Sequence, residues 1–356
     1  MMSKVGIREV AAAAGVSITT VSKAFNATPG ARLVADATMK KIHEAARKLN
    51  YTPNYGATLL RGQSSMTIGF SISLPEEVSV SFLSEYPMRI INGLGPSANA
   101  HGYQLLLING TDYSCYMDIK RIDALVMLSF QHISNPRQQE METMFRRFDH
   151  LGYPYVIINN NPDELPQPSI NCDNTAGMRL IADLILRKGY ESVGFLGELT
   201  RNPQKQHRDR LGDLREFLSV RPGLFRPESV LNGSVPGVPD VPRRELYNRA
   251  DGWTGLHVLA ERKKLPRCLV CGDDEIALGA LAACLKLGVR VPEELAVIGF
   301  DGSPNGQYST PALTTVKQPL EEFGRMAFDY ITRKIADPDY HEAIMVAPTL
   351  IERSSG

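Results

Sequence analysis

Apolar positions in the first fifty residues recur at helical intervals. Ile7, Val10, Ala11 and Ala14 fall on one face of a first helix. Gly15 follows, a residue suited to the turn that ends a helix. Ser17 then stands as N-cap of a second helix to about Phe25, with Val21, Ala24 and Phe25 turned inward. A third helix, over about 34–49, carries Met39, Ile42, Ala46 and Leu49 as its apolar stripe. It ends at Asn50-Tyr51-Thr52-Pro53, because the residue before proline avoids helix. Two helices joined by a short glycine-containing turn form a helix-turn-helix, and Ala11 and Ala14 are small enough to let them approach closely.

Beyond residue 62 the period changes. Segments 67–72, 103–108, 124–128 and 155–158 read as strands, with a helix over 90–100. A second series of strands covers 192–196, 268–270 and 295–300. Strand and helix in alternation imply parallel sheets flanked by helices. The expected fold is an N-terminal all-α helix-turn-helix headpiece followed by an α/β body of two such units.

Composition narrows the class. The chain has 356 residues, too many for one compact core. No apolar run approaches the roughly 18 residues of a membrane span. The alanine-rich stretch 10–16 follows Arg8 and Glu9 and reads as helix interior rather than as a signal peptide, so a cytoplasmic protein is expected. Five cysteines, an odd number without regular spacing, make no disulfide framework. Cys268 and Cys271 lie on a strand without a second pair or a nearby histidine, and read as small buried hydrophobes rather than metal or redox groups. Neither a metal nor a cofactor is expected. The motifs of serine hydrolases, P-loop proteins, HExxH metalloproteases and dinucleotide binders are missing, so catalysis is not expected either.

Charge is zero overall but unevenly placed. Residues 1–62 hold nine basic and three acidic side chains, and the remainder is acidic by the same margin. A basic terminal module on an acidic body suits a phosphate backbone as partner. The first residues of the second helix of a helix-turn-helix meet base edges in the major groove. Thr19 is a hydrogen-bonding group for a base, Ile18 an apolar contact for a thymine methyl, and Lys23 a donor for guanine or phosphate. Thr20 and Ser22 are better placed for phosphate oxygens.

The run Ile7-Arg8-Glu9-Val10-Ala11, then Gly15-Val16-Ser17-Ile18-Thr19-Thr20-Val21-Ser22-Lys23 and Asn26, resembles the headpiece of the lactose and purine repressor family. Leu49-Asn50-Tyr51-Thr52-Pro53-Asn54 is similar to the segment before that family's hinge helix. The resemblance continues through Asp173-Asn174-Thr175-Ala176-Gly177, Asp273-Asp274-Glu275-Ile276-Ala277, Val297-Ile298-Gly299-Phe300-Asp301-Gly302, Pro311-Ala312-Leu313-Thr314-Thr315-Val316-Lys317-Gln318 and the final Leu350-Ile351-Glu352-Arg353. It implies a DNA-binding domain over 1–51, a hinge helix over 52–62, and an effector-binding and dimerisation body over 63–356. The body would resemble the two-lobed periplasmic binding proteins, with an N-lobe of about 63–168 and 318–345 and a C-lobe of about 169–317 and 346–356.

In this family a hinge leucine wedges into the minor groove, and Leu60 stands at that position. Asn26 and Tyr51 join the implied DNA contacts. Gly56 departs from the pattern and weakens the hinge by about 1 kcal/mol relative to alanine. The implied effector residues are Asp301 and Asp273 in their motifs, Arg210 in Arg208-Asp209-Arg210-Leu211, and Asn159 at a strand end. Tyr86 and Tyr247 are aromatic groups for stacking on a sugar ring or base. The function implied is a homodimeric repressor whose affinity for double-stranded operator DNA is changed by a sugar-like molecule between the lobes. The alternative is a periplasmic-type sugar-binding protein with no DNA role.

Overall fold

The computed structural model describes residues 5–25, 34–51, 64–73, 85–109, 121–129, 135–160, 166–200, 205–236 and 248–356. The expected hinge with Gly56 and Leu60 lies outside these residues, as do Asn26 and Tyr247.

The headpiece is three helices, Ile7–Ala14 (α1), Ile18–Phe25 (α2) and Asp36–Lys48 (α3). Gly15 ends α1 at φ 66°, in the left-handed region that only glycine occupies without penalty. The Ser17 hydroxyl accepts the Thr20 amide at 3.1 Å and caps α2, as expected. Val10, Val21 and Ile42 are fully buried, one from each helix, with Ala11, Ala24, Ala45 and Ala46 around them. Burying each large aliphatic side chain contributes about 1.5–3 kcal/mol. The third helix is shorter than the 34–49 expected, because Leu49 serves as its C-cap.

Among the described residues the body contains two six-stranded sheets. The first has the order β11-β5-β4-β3-β1-β2, made of Ala343–Val346, Ser169–Cys172, Tyr155–Ile158, Ala124–Ser129, Thr67–Ser73 and Gln104–Asn109. The second has the order β12-β10-β9-β8-β6-β7, made of Thr349–Ile351, Thr314–Lys317, Ala296–Asp301, Cys268–Cys271, Val193–Leu196 and Phe225–Leu231. The central strands β3, β4, β6 and β8 are buried throughout, which is why they read as continuous apolar runs rather than as alternations. The expected boundary between lobes at 168/169 requires correction. Ser169–Cys172 pairs in parallel with β4 and β11, so it belongs to the first sheet.

The described residues group into two compact units. One runs through Gly69 and adds Gly95–Leu107 and residues up to Leu125; the other holds Phe70–Leu94 and Val126–Gly356. Everything in the ligand-type site below belongs to the second unit. Among the described residues no helix is long and apolar enough to cross a membrane. None of their His, Cys, Asp and Glu side chains forms a group of three or more able to hold a metal.

Candidate functional site

Two regions concentrate polar side chains that the fold does not need for its core. The first is the face of α2. Ile18, Thr19 and Lys23 are exposed there, while Val21 and Ala24 on the opposite face are buried. Thr20 is half-buried, and its hydroxyl lies 2.8 Å from that of Ser17, so it takes part in the cap. Ser22 is half-buried as well. Tyr51 packs on the edge of the headpiece core, its ring centroid 5.8 Å from that of Phe25. Lys40, Lys41, Arg47 and Lys48 are exposed on α3.

The second region lies where β6, β8 and β9 of the second sheet end. There the helix Lys205–Leu218 (α7, counting Glu85–Ala100 as α4, Asn135–His150 as α5 and Asn174–Lys188 as α6) carries His207 and Arg210. The Arg210 guanidinium is buried and stacks on the Phe300 ring, 3.6 Å from its centroid. Its Nε and Nη2 donate to Asn174 Oδ1 at 3.0 and 2.9 Å, and Nη1 donates to the Gly272 carbonyl at 2.6 Å. That leaves one N–H on each terminal nitrogen, with Asp301 Oδ1 3.9 Å from Nη1. Asp301 closes β9, and its carboxylate accepts from Gln318 Nε2 at 2.6 Å. Gln318 in turn accepts from the Tyr86 hydroxyl at 3.3 Å.

Asp273 sits beside this group as the N-cap of Asp274–Leu287 (α9), accepting the Ile276 amide at 2.8 Å. Its second oxygen faces His207 Nε2 at 3.3 Å and accepts from Asn248 Nδ2. Asn248 is held there because its helix, Arg249–Glu261 (α8), meets α9 backbone to backbone. A Cβ on Gly279 would lie 1.9 Å from the Arg249 carbonyl, so only glycine permits the approach.

Burial dominates the electrostatics. It pushes the Asp301 carboxyl up to about 7, against the pull of Arg210. It pushes Asp274 up to about 8, with the nearby Asp301 charge adding to the rise. Burial opposes the charge on His207 as well, but the bond to Asp273 and the charge of Glu198 outweigh it and hold the imidazole above its usual range. The reverse holds for Asp273: burial is the largest effect, and the His207 bond still brings the carboxyl below its usual range. The result is a cluster of fixed donors and acceptors with the Asp301 carboxylate partly open to solvent, suited to binding a molecule rich in hydroxyl or carbonyl groups.

Residues 6–54 match the bacterial regulatory proteins of the lacI family, and residues 182–356 match the periplasmic binding protein-like domain. The HTH-type transcriptional repressor PurR of Serratia proteamaculans (strain 568) is 30% identical over 359 residues, covering 98% of this chain and 96% of the relative. The chain belongs to the lacI family of bacterial regulatory proteins. Its fold matches that of the lac repressor dimer bound to operator and the anti-inducer ONPF, with TM-score 0.78, 22% identity and 99% of both chains covered. It also matches a CelR–cellobiose complex, with TM-score 0.66, 23% identity, and 99% of this chain and 100% of the other covered.

As a lacI-family member the protein is a DNA-binding transcription regulator, not an enzyme. Of the ligand residues expected in the regulator, Tyr86, Arg210, Asp273 and Asp301 converge on the cluster just described. Asn159 does not share their bonds: it closes β4 at φ 67°, and its amide donates to the Ser129 carbonyl at 3.0 Å. Sequence reasoning missed Arg89, Asn174, His207, Asn248, Phe300 and Gln318. Asn174, Phe300 and Gln318 stand inside the family motifs, Phe300 next to Asp301. Arg89, His207 and Asn248 stand in no motif.

Proposed function

We propose that this regulator binds a near-palindromic operator as a homodimer in the cytoplasm, and that a sugar-like molecule held at the Arg210–Asp301 cluster changes its operator affinity. Residues 1–51 form the DNA-binding domain, 52–62 the hinge and the remainder the effector and dimerisation body. Ile18, Thr19 and Lys23 read bases, with Thr20, Ser22, Asn26 and Tyr51 on the backbone and Leu60 in the minor groove. The observation that carries the effector reading is the fixed Arg210 fork. Its stacking on Phe300 and its bonds to Asn174 and Gly272 orient it, and two N–H groups remain beside the Asp301 carboxylate. A fork donor next to a carboxylate acceptor recognises neighbouring hydroxyls. Tyr86 and Asp273 border the same group, with Tyr247 and Asn159 as further contacts. The cellobiose held by the CelR relative and the operator held by the lac repressor dimer support the reading by analogy. Exposed Trp253, Leu285 and Tyr308 supply apolar surface for a dimer.

The test is a thermal-shift screen of sugars, polyols and nucleobases against the full-length protein. A hit should lose its stabilising effect in Asp301→Ala. A ligand that stabilises wild type and Asp301→Ala equally removes the cluster from the account.

A further inference from the structure

Asp301 adopts φ 123°, and Gly302 follows at φ 70°. Glycine suits its position, because a Cβ there would lie 2.6 Å from Lys317 Cα. Asp301 does not suit its own: an L-residue at such a φ is strained and persists only where its surroundings hold it. The Gln318 amide donates to the Asp301 carbonyl at 3.3 Å and the Gly302 amide to Thr315 Oγ1 at 3.3 Å, and from α4, the helix Glu85–Ala100, the buried side chain of Arg89 adds the rest of the hold. Nη1 donates to the Asp301 and Gly302 carbonyls, both at 3.1 Å. Nη2 donates to the Gln318 carbonyl at 3.3 Å, and Nε and Nη2 grip the Glu321 carboxylate at 2.9 and 3.2 Å. These five bonds use all five donors of the guanidinium, so Arg89 has no donor left for a ligand. One turn earlier on α4, Glu85 accepts from Ser303 Oγ at 2.6 Å and Asn305 Nδ2 at 3.0 Å.

We infer that Arg89 is the positioning residue for Asp301: it holds the strained Asp301–Gly302 turn and the Gln318 backbone, and so aims the Asp301 carboxylate from a helix that also carries Tyr86. The full set of bonds on the turn is then made while α4 is docked on the segment 301–321. Displacement of that helix removes the Arg89 bonds from the turn and loosens the hold on the carboxylate. The functional meaning rests on the proposed effector role of Asp301. The pinning itself does not.

The experiment follows the Asp301 carboxyl by carbon-detected NMR titration of the full-length protein without ligand, assigned with Asp301→Asn. The titratable groups facing Asp301 are Arg210, Asp273, His207, Asp274, Tyr86, Cys172 and Arg89 itself. Removing a positive charge by Arg89→Met should, through charge alone, raise the Asp301 midpoint. Release of the turn into water should lower it. The expected result is a fall of more than about one pH unit in both Arg89→Met and Arg89→Lys, towards the ordinary carboxylate range near 3.9. Hydrogen exchange at Gly302, Ser303 and Gln318 should accelerate at least about tenfold, with strand Val193–Leu196 unchanged. Arg89→Lys keeps the charge and supplies the answer if Arg89→Met fails to fold. A midpoint that stays or rises in folded Arg89→Lys overturns the assignment, whatever the ligand screen finds.

Discussion

In the headpiece, Ile18, Thr19 and Lys23, proposed to read DNA, stand on an exposed helix face, whereas Tyr86, Arg210, Asp273 and Asp301, proposed to hold the effector, are already bonded to neighbouring groups of the body. Ile18, Thr19 and Lys23 could be exchanged without disturbing Val10, Val21 or Ile42 beneath them. Arg210 could not: its fork braces Asn174 and the Gly272 carbonyl before any ligand arrives. Recognition and stability are therefore separable in one region and merged in the other. The reason is geometric. A major groove is met by a convex surface, and a small ligand by a concave one whose walls must satisfy their own polar groups.

That contrast can be broken most severely by deletion. Removing residues 1–62 should abolish DNA binding, while the body unfolds at an unchanged temperature. Retention of steep, salt-dependent DNA binding in the truncated protein would contradict the division of labour. Next in size is Arg210→Ala, which strands Asp301 and opens two carbonyl-type acceptors. It should cost about 3 kcal/mol of body stability, read by denaturant unfolding. A loss under about 0.5 kcal/mol would mean the cluster is not structural. Thr19→Ala should cost about 2 kcal/mol in operator discrimination, measured by anisotropy on matched and mismatched sites. Its unfolding should stay within about 0.5 kcal/mol of wild type.

The smallest effect concerns pH. Asp301 and Asp274 titrate higher in the folded chain, at about 7 and about 8, than the 3.8 of an unfolded aspartate. The folded state therefore retains protons that the unfolded state has lost, and stability falls as pH rises through these values. His207, also raised, acts in the same direction, since its contribution is lost above its folded value. Asp273, held low, acts oppositely and costs stability only towards acid. Unfolding free energy followed from about pH 4 to about pH 8 should decline for wild type and decline less for Asp274→Asn. Equal slopes would show that Asp274 is ionised throughout.

The same contrast explains what could be read along the chain. The headpiece was legible almost to the residue, because its helices are set by near neighbours: Gly15 ends one, Ser17 starts the next, and the apolar stripe repeats within each. The central strands were legible because burial on both faces leaves unbroken apolar runs. Phe225–Leu231 was not read as a strand: only Val230's neighbours Ser229 and Leu231 are buried, and Pro227 and Glu228 interrupt the pattern. Ser169–Cys172 was placed in the wrong lobe because four buried residues carry no mark of which sheet accepts them. The cluster was half-legible for a different reason. Asp273 and Asp301 stand in motifs, but Arg89 meets Asp301 across more than two hundred residues, a separation on which local pattern is silent.

The central claim, that DNA reading is separable from stability and effector holding is not, is tested most directly by one paired measurement on Lys23→Ala and Arg210→Ala: operator affinity and midpoint of thermal unfolding in the same buffer. The account predicts that Lys23→Ala loses affinity at an unchanged midpoint, and that Arg210→Ala lowers the midpoint by several degrees. Unfolding of Lys23→Ala at a lowered temperature, together with Arg210→Ala melting like wild type, would contradict it.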